Sequence, residues 1–338
     1  MKMKIRNILR TGLLALLFGA LLVVSAMAGP IEPGAPQEIE RLYQAGHYAQ
    51  AVEGLQAAVA KTPQDGSLHY WLGRSFYELR EYSRAISSLE RAVTLEPDNS
   101  EYHHWLGKAC GRRAEESNPF SALGLARRTH HEFETAVRLD RSNLAAQRDL
   151  IRYLLAAPGI VGGGDDRALE QVAALDLVDP VQADLARAEY FVARKRPDQA
   201  GEQYKKILES KPASGGIYFE IAEYYLERGD AQAMQEAVQG AAIASPKDPR
   251  LDFYRGIALV LAKTQEDASE KYLRAYLSAV AASSETPAHS TAHEWLGKLY
   301  EYEGRRVEAA TEYEAAISLD PRNKDLRETL KRLQHNTN

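Results

Sequence analysis

The chain has 338 residues, 45% hydrophobic and 26% charged, and its 42 Lys and Arg against 47 Asp and Glu give a formal net charge of −5. This is the composition of a folded chain and excludes disorder over most of its length. A single cysteine excludes a disulfide scaffold, a four-cysteine zinc module and a C-x-x-C redox pair, and the acidic balance argues against generic nucleic-acid binding, which draws on a basic domain.

The first segment reads as an address. Lys2, Lys4, Arg6 and Arg10 precede an apolar run from Gly12 to Val24, and Ser25-Ala26-Met27-Ala28 offers small residues for cleavage. This is the order of a secretory signal, and the run is short of the ~20 residues a membrane span needs. The expectation is an exported, periplasmic chain cleaved after Ala28, with membrane attachment only if residues 1–28 are retained. Residues 29–36 hold three prolines and read as a flexible lead-in.

Beyond residue 36 the chain is periodic. The strings His69-Tyr70-Trp71-Leu72-Gly73, His103-His104-Trp105-Leu106-Gly107 and His293-Glu294-Trp295-Leu296-Gly297 repeat one another, the first two 34 residues apart, and they contain all three tryptophans. A second string, Ala85-Ile86-x-x-Leu89-x-x-Ala92-Val93-x-Leu95-x-Pro97, returns as Ala309-Ala310-x-x-Tyr313-x-x-Ala316-Ile317-x-Leu319-x-Pro321. Apolar spacing is helical throughout, and no strand-like alternation with turn signals appears.

The pattern resembles the tetratricopeptide repeat, a pair of antiparallel helices with a period of 34. The resemblance implies an all-α, right-handed α-solenoid of about eight helix pairs over residues 37–323, with a capping helix and tail at 324–338. It also implies a small residue on the first helix of each pair, found at Gly73, Gly107, Ala188, Ala222, Gly256 and Gly297. The resemblance is strong in units two, five and eight and degenerate in units one and four. Glycine inside a helix costs about 1 kcal/mol against alanine, so its recurrence at one phase calls for close helix approach. Enlarged turns are expected near 111–126, around Asn118-Pro119, and at 157–166, around Gly162-Gly163-Gly164, with a long joint at 278–289.

In this family the first helices line a concave groove. Carried onto this chain, the groove residues are Tyr70, Arg74, Tyr77, His104, Lys108, Arg112, Ile151, Phe219, Glu223 and Phe253. The N-terminal part is aromatic and basic, and the rest is apolar with acids, which suits a polypeptide segment with an acidic end. The expected function is a non-catalytic protein-interaction scaffold or adaptor of the bacterial cell envelope, with no cofactor and no nucleic acid. The alternative is an exported carrier or sensor of a small ligand, glycan or metal on the edge that carries the insertions. The histidines invite a metal, above all His130-His131 and His289-x-x-x-His293, but His69, His103 and His293 share one phase, which favours packing. The glycine run lacks the Lys-Ser/Thr of a phosphate loop. No nucleophile motif appears, and Cys110 falls at a packing phase.

Overall fold

The computed structural model describes residues 36–264, 266–283 and 286–335. The expected signal segment, and all of the lead-in but Pro36, lie outside them. The described residues form seventeen α-helices and no strand. Sixteen pair in chain order: α1 (Pro36–Gln44) with α2 (Tyr48–Lys61), α3 (Gly66–Glu78) with α4 (Tyr82–Leu95), α5 (Ser100–Glu115) with α6 (Pro119–Leu139), and α7 (Leu144–Ala156) with α8 (Asp165–Asp176). Then come α9 (Pro180–Ala193) with α10 (Pro197–Ser210), α11 (Gly215–Arg228) with α12 (Ala231–Ala244), α13 (Arg250–Ala262) with α14 (Glu266–Ala279), and α15 (His289–Tyr302) with α16 (Arg306–Leu319). The last helix, α17 (Lys324–His335), packs on α16. The chain is an all-α repeat solenoid. None of its described helices is long and apolar enough to cross a membrane.

Local chemistry sets the period. Asp65, Asn99, Asn143 and Asp179 cap first helices by accepting hydrogen bonds from backbone N–H groups of the opening turn, the partners those groups lack within the helix. Six first helices end in one left-handed residue: Gly46, Arg80, Lys195, Gly229, Lys263 and Gly304. Each closes the same turn, as where Glu81 N–H donates to Phe76 O at 2.9 Å and Arg196 N–H to Phe191 O at 2.9 Å.

The recurrent glycines face the partner helix at close range. A Cβ on Gly73 would stand 2.5 Å from Leu89 Cγ, on Gly107 2.6 Å from the Phe133 ring, on Gly256 2.6 Å from Leu273 Cγ, and on Gly297 2.6 Å from the Tyr313 ring. The shared histidine phase is also packing. His69 Nε2 meets Pro63 O at 3.1 Å and His103 Nε2 meets Pro97 O at 3.0 Å, tying the first helix to the proline that closes the preceding pair. His103 Nδ1 and His293 Nδ1 each meet a second-helix carboxylate, Glu132 and Glu312, at 2.6 Å.

The third pair corrects one expectation. Residues 111–126 are not an enlarged turn: α5 continues to Glu115, and α6 starts at Pro119 under an Asn118 cap. The insertion lengthens both helices, and proline at the first helical position allows the immediate restart. In the fourth pair the inserted residues form a short 3₁₀ turn, Gly159–Val161. Gly164 N–H donates to Leu154 O, and a Cβ on Gly163 would lie 1.7 Å from Ala157 O. Only glycine fits there.

Candidate partner-binding groove

First helices of successive pairs touch one another, as α3 touches α5, α7 touches α9, α11 touches α13 and α13 touches α15. They therefore line the inner surface. Their outward residues differ from the expectation in a regular way.

In the N-terminal pairs, Arg74 sits inside an aromatic box. Its guanidinium carbon is 4.2 Å from the Trp105 ring centre, 4.6 Å from Tyr43, 4.9 Å from Trp71 and 5.6 Å from Tyr70. Its Nη1 donates to Tyr70 Oη and its Nη2 to Tyr43 Oη, both at 3.2 Å. Four rings from three consecutive pairs thus close on one cation, and Tyr70 and Tyr77 are themselves buried. Arg74 braces the three pairs, and the cations that reach the surface beside it are Lys108 and Arg112, one turn apart on α5. Lys108 Nζ stands 3.9 Å over the Trp105 ring, and Arg112, which is exposed, reaches Glu115 at 2.9 Å.

At the centre, the expected groove residue Ile151 is fully buried in the core with Val172 and Leu175. The inner face of α7 carries Arg148, Asp149 and Arg152 instead, one residue out of the expected phase. These join a ladder of charges across four first helices. His104 Nε2 meets Asp149 at 2.8 Å, Arg152 reaches Asp149 at 3.4 Å and Glu189 at 2.8 Å, and Arg148 reaches both Glu189 and Glu220 at 2.6 Å. The Arg148 side chain is only 5% exposed, a position a charge holds only when paired. Burial disfavours a charged His104, but Asp149 and Glu101 outweigh it and raise its pKa above the ordinary 6.5. Asp149 is lowered even though burial opposes this. Glu101 is held down to about 2, by His104 above all and also by Trp105 and Tyr70.

Phe219 and Phe253 are also core and not groove. Phe219 stacks on Tyr254 at 4.6 Å, and Phe253 packs on Tyr276 at 5.1 Å. Glu223 is exposed as a residue, but its carboxyl leans on the neighbouring helix and accepts from Tyr254 Oη at 2.5 Å. The water lost there, with Glu220 and Glu227 nearby, raises its pKa despite that bond. The inner surface thus has a basic, aromatic N-terminal part, a self-paired centre and acids beyond it.

The histidines singled out for a metal lie apart in function. His289 Nε2 meets Val280 O at 2.8 Å, His293 meets Glu312, and His131 is exposed; His130 stacks on Tyr153, its Nε2 3.3 Å from Glu134 without hydrogen-bond geometry. Among the described residues, no group of three or more His, Cys, Asp or Glu could hold a metal ion.

An inner face lined by first helices, repeating every 34 residues, defines a helical-repeat scaffold. Family models described as tetratricopeptide repeat match residues 37–110 and 290–323, so the chain carries tetratricopeptide repeats in both its N-terminal and its C-terminal part. No curated protein matches it. Solved structures similar to it include the human IFIT1 dimer with m7Gppp-AAAA, at 17% identity over 87% of this chain and 70% of that one, with a TM-score of 0.52. Another is the APC/C hetero-tetramer Cut9-Hcn1, at 14% identity over 94% of this chain, with a TM-score of 0.49. A third is a tetratricopeptide repeat protein from Parabacteroides merdae, at 15% identity over 80% of this chain and 98% of that one, with a TM-score of 0.45. The chain spans 59% of the Cut9-Hcn1 chain it matches. The likeness to IFIT1 is one of fold. In general terms the protein is a protein-interaction scaffold.

Proposed function

We propose that the inner surface holds a linear polypeptide segment whose acidic end lies on Lys108 and Arg112, and that the protein catalyses nothing. The observation that carries this reading is the pair of cations one turn apart on α5 beside Trp105 and Tyr77: among the described residues Lys108 makes no ion pair and Arg112 pairs only with the exposed Glu115 of its own helix, while Arg148 and Arg152 further along are bound between helices. A cation over a ring keeps its attraction for a carboxylate while its stem stays fixed. A chain with net charge −5 has little pull on nucleic acid. The signal-like residues 1–28 support a place in the cell envelope.

Fluorescence polarisation with a fluorescein-labelled twenty-residue poly-L-glutamate tests the site. Lys108→Glu with Arg112→Glu is expected to weaken binding at least tenfold with an unchanged melting curve, and oligoadenylate is expected not to compete. Equal binding by the double variant, or displacement by oligoadenylate, overturns the reading. N-terminal sequencing of protein recovered from the envelope should begin at Gly29; a start at Met1 would refute cleavage.

A further inference from the structure

The two ends of the solenoid meet. One edge is formed by turns within the pairs, the opposite edge by joints between them. Tyr48, beside the Gly46 turn on the first edge, donates from its hydroxyl to Ala282 O at 3.0 Å, on the joint before α15. A Cβ on Gly46 would stand 2.8 Å from Ala281 Cβ. Further along, Tyr77, Arg80 and Arg112 of the second and third pairs enclose a cavity of about 430 Å³ with Ser283, His289 and Leu319. Beyond it, Arg322 lies 4.0 Å from Glu116.

These contacts keep register. The first pair meets the joint before the eighth, the second meets that joint and the start of the eighth, and the third meets its end. A superhelix that has completed one turn lays its edges against each other in this way, as in a lock washer. We infer that this seam closes the inner surface into an encircled lumen. Its occupant is then a linear acidic polypeptide that threads by a free end or enters when the seam parts, and not a segment already flanked by folded domains. Among the described residues the seam shows the Gly46–Ala281 approach, the Tyr48 hydrogen bond, a long ion pair with an arginine 77% exposed, and a cavity between them. Surface pairs of this kind hold weakly, so the ring can open. The identity of the occupant rests on the groove reading above; the closure does not.

Spin labels on Gln50→Cys and Ala279→Cys test closure by pulsed dipolar spectroscopy on the full chain. Both sites are exposed, whereas Cys110 is buried, its thiol pushed up to about 12, chiefly by that burial, so the introduced thiols react first. One short, narrow distance is expected, which Ala281→Glu lengthens and broadens; Tyr48→Phe, which removes the hydroxyl that donates to Ala282 O, broadens it less. A wild-type distribution already as long and broad as that of Ala281→Glu overturns closure.

Cross-linking the two introduced thiols with a bis-maleimide then locks the seam. The locked ring is expected to bind labelled poly-L-glutamate with free ends, and to bind the same probe with a folded domain fused to each end at least tenfold more weakly; the unlocked protein accepts both. Equal binding of both probes to the locked ring overturns threading. If no variant binds poly-L-glutamate, the groove reading fails, and the spin-label distances still decide whether the ring is closed.

Discussion

The glycine-packed pairs and the fourth pair hold the same architecture by different means. Pairs two, three, seven and eight bring a glycine against a large apolar side chain at a distance no Cβ could share, and extended apolar cores run through both ends of the stack. The fourth pair has no such glycine. Its apolar contacts fall into two small clusters that reach Phe133 on one side and Ala183 and Ala186 on the other, and to these the join adds His104, Asp149, Arg148, Arg152, Glu189 and Glu220. The ends rest mainly on shape, while the middle adds a buried charge ladder to smaller apolar clusters. A solenoid held only by shape would be indifferent to pH; this one is sensitive at its centre.

The sharpest way to break the comparison is to fill a glycine contact. Gly107→Leu would drive side-chain atoms into the Phe133 ring and should cost about 3 kcal/mol, the upper range for overpacking. Gly297→Leu, against Tyr313, should cost a similar amount, and because the two sites share no packing partners the losses should add. Urea titration of the two single variants and the double variant measures this. A double variant no worse than either single one would show that the ends are one coupled unit.

At the centre, Arg148→Ala should cost about 2 kcal/mol, because it leaves Glu189 and Glu220 to share the half-exposed Arg152 alone. Adding Glu220→Gln should recover part of that loss. A double-mutant cycle by urea titration reads the coupling. Additive losses would mean that Arg148 acts as a spacer and not as a charge.

The pH response has a definite sign. His104 has a raised folded pKa, so its contribution is fully present below the ordinary 6.5 and is lost as pH rises through the raised value. Asp149 and Glu101 are lowered, so theirs is present above ordinary carboxylate values and is lost as pH falls through the folded ones. Both are complete between about pH 5 and 6. The stability gap between wild type and His104→Gln should therefore peak in that window, at about 1–2 kcal/mol, the range of a hydrogen bond to a charged group, and shrink towards pH 8. A gap that is flat from pH 5 to 8 would show that His104 acts as a neutral donor.

What the sequence discloses follows the same division. Where a glycine or alanine fixes the phase, as at Gly73 and Gly297, helix pairing and the buried face follow from the string. In the fourth pair no small residue anchors the phase, and an expectation one residue early exchanges Ile151 for Arg152 on the inner face. The signal was present in Arg148-x-x-x-Arg152 with Asp149, charges at helical spacing on a helix otherwise rich in apolar residues. Tyr70, Phe219 and Phe253 lie at groove positions by number yet are buried, because aromatic side chains there turn sideways and pack between neighbouring first helices. Closure at Tyr48 and Ala282 is not legible in any local string, since it depends on small rotations summed over seven joints.

The smallest effect lies in the turns that both regions share. Of the six left-handed residues ending first helices, Arg80, Lys195 and Lys263 are not glycine, and an L side chain pays a steric cost in that region. Lys195 is the cleanest site: its side chain is exposed, it makes no ion pair among the described residues, and its backbone already makes the full turn, donating to Val192 O at 3.0 Å. Lys195→Gly relieves the strain but loosens the unfolded chain, and the two nearly offset. The net should be a gain of about 0.5 kcal/mol, read as a rise in the urea midpoint with an unchanged slope. A loss instead would mean that the lysine stem supports the turn, and the six turns, alike in their hydrogen bonds, would then differ in what holds them.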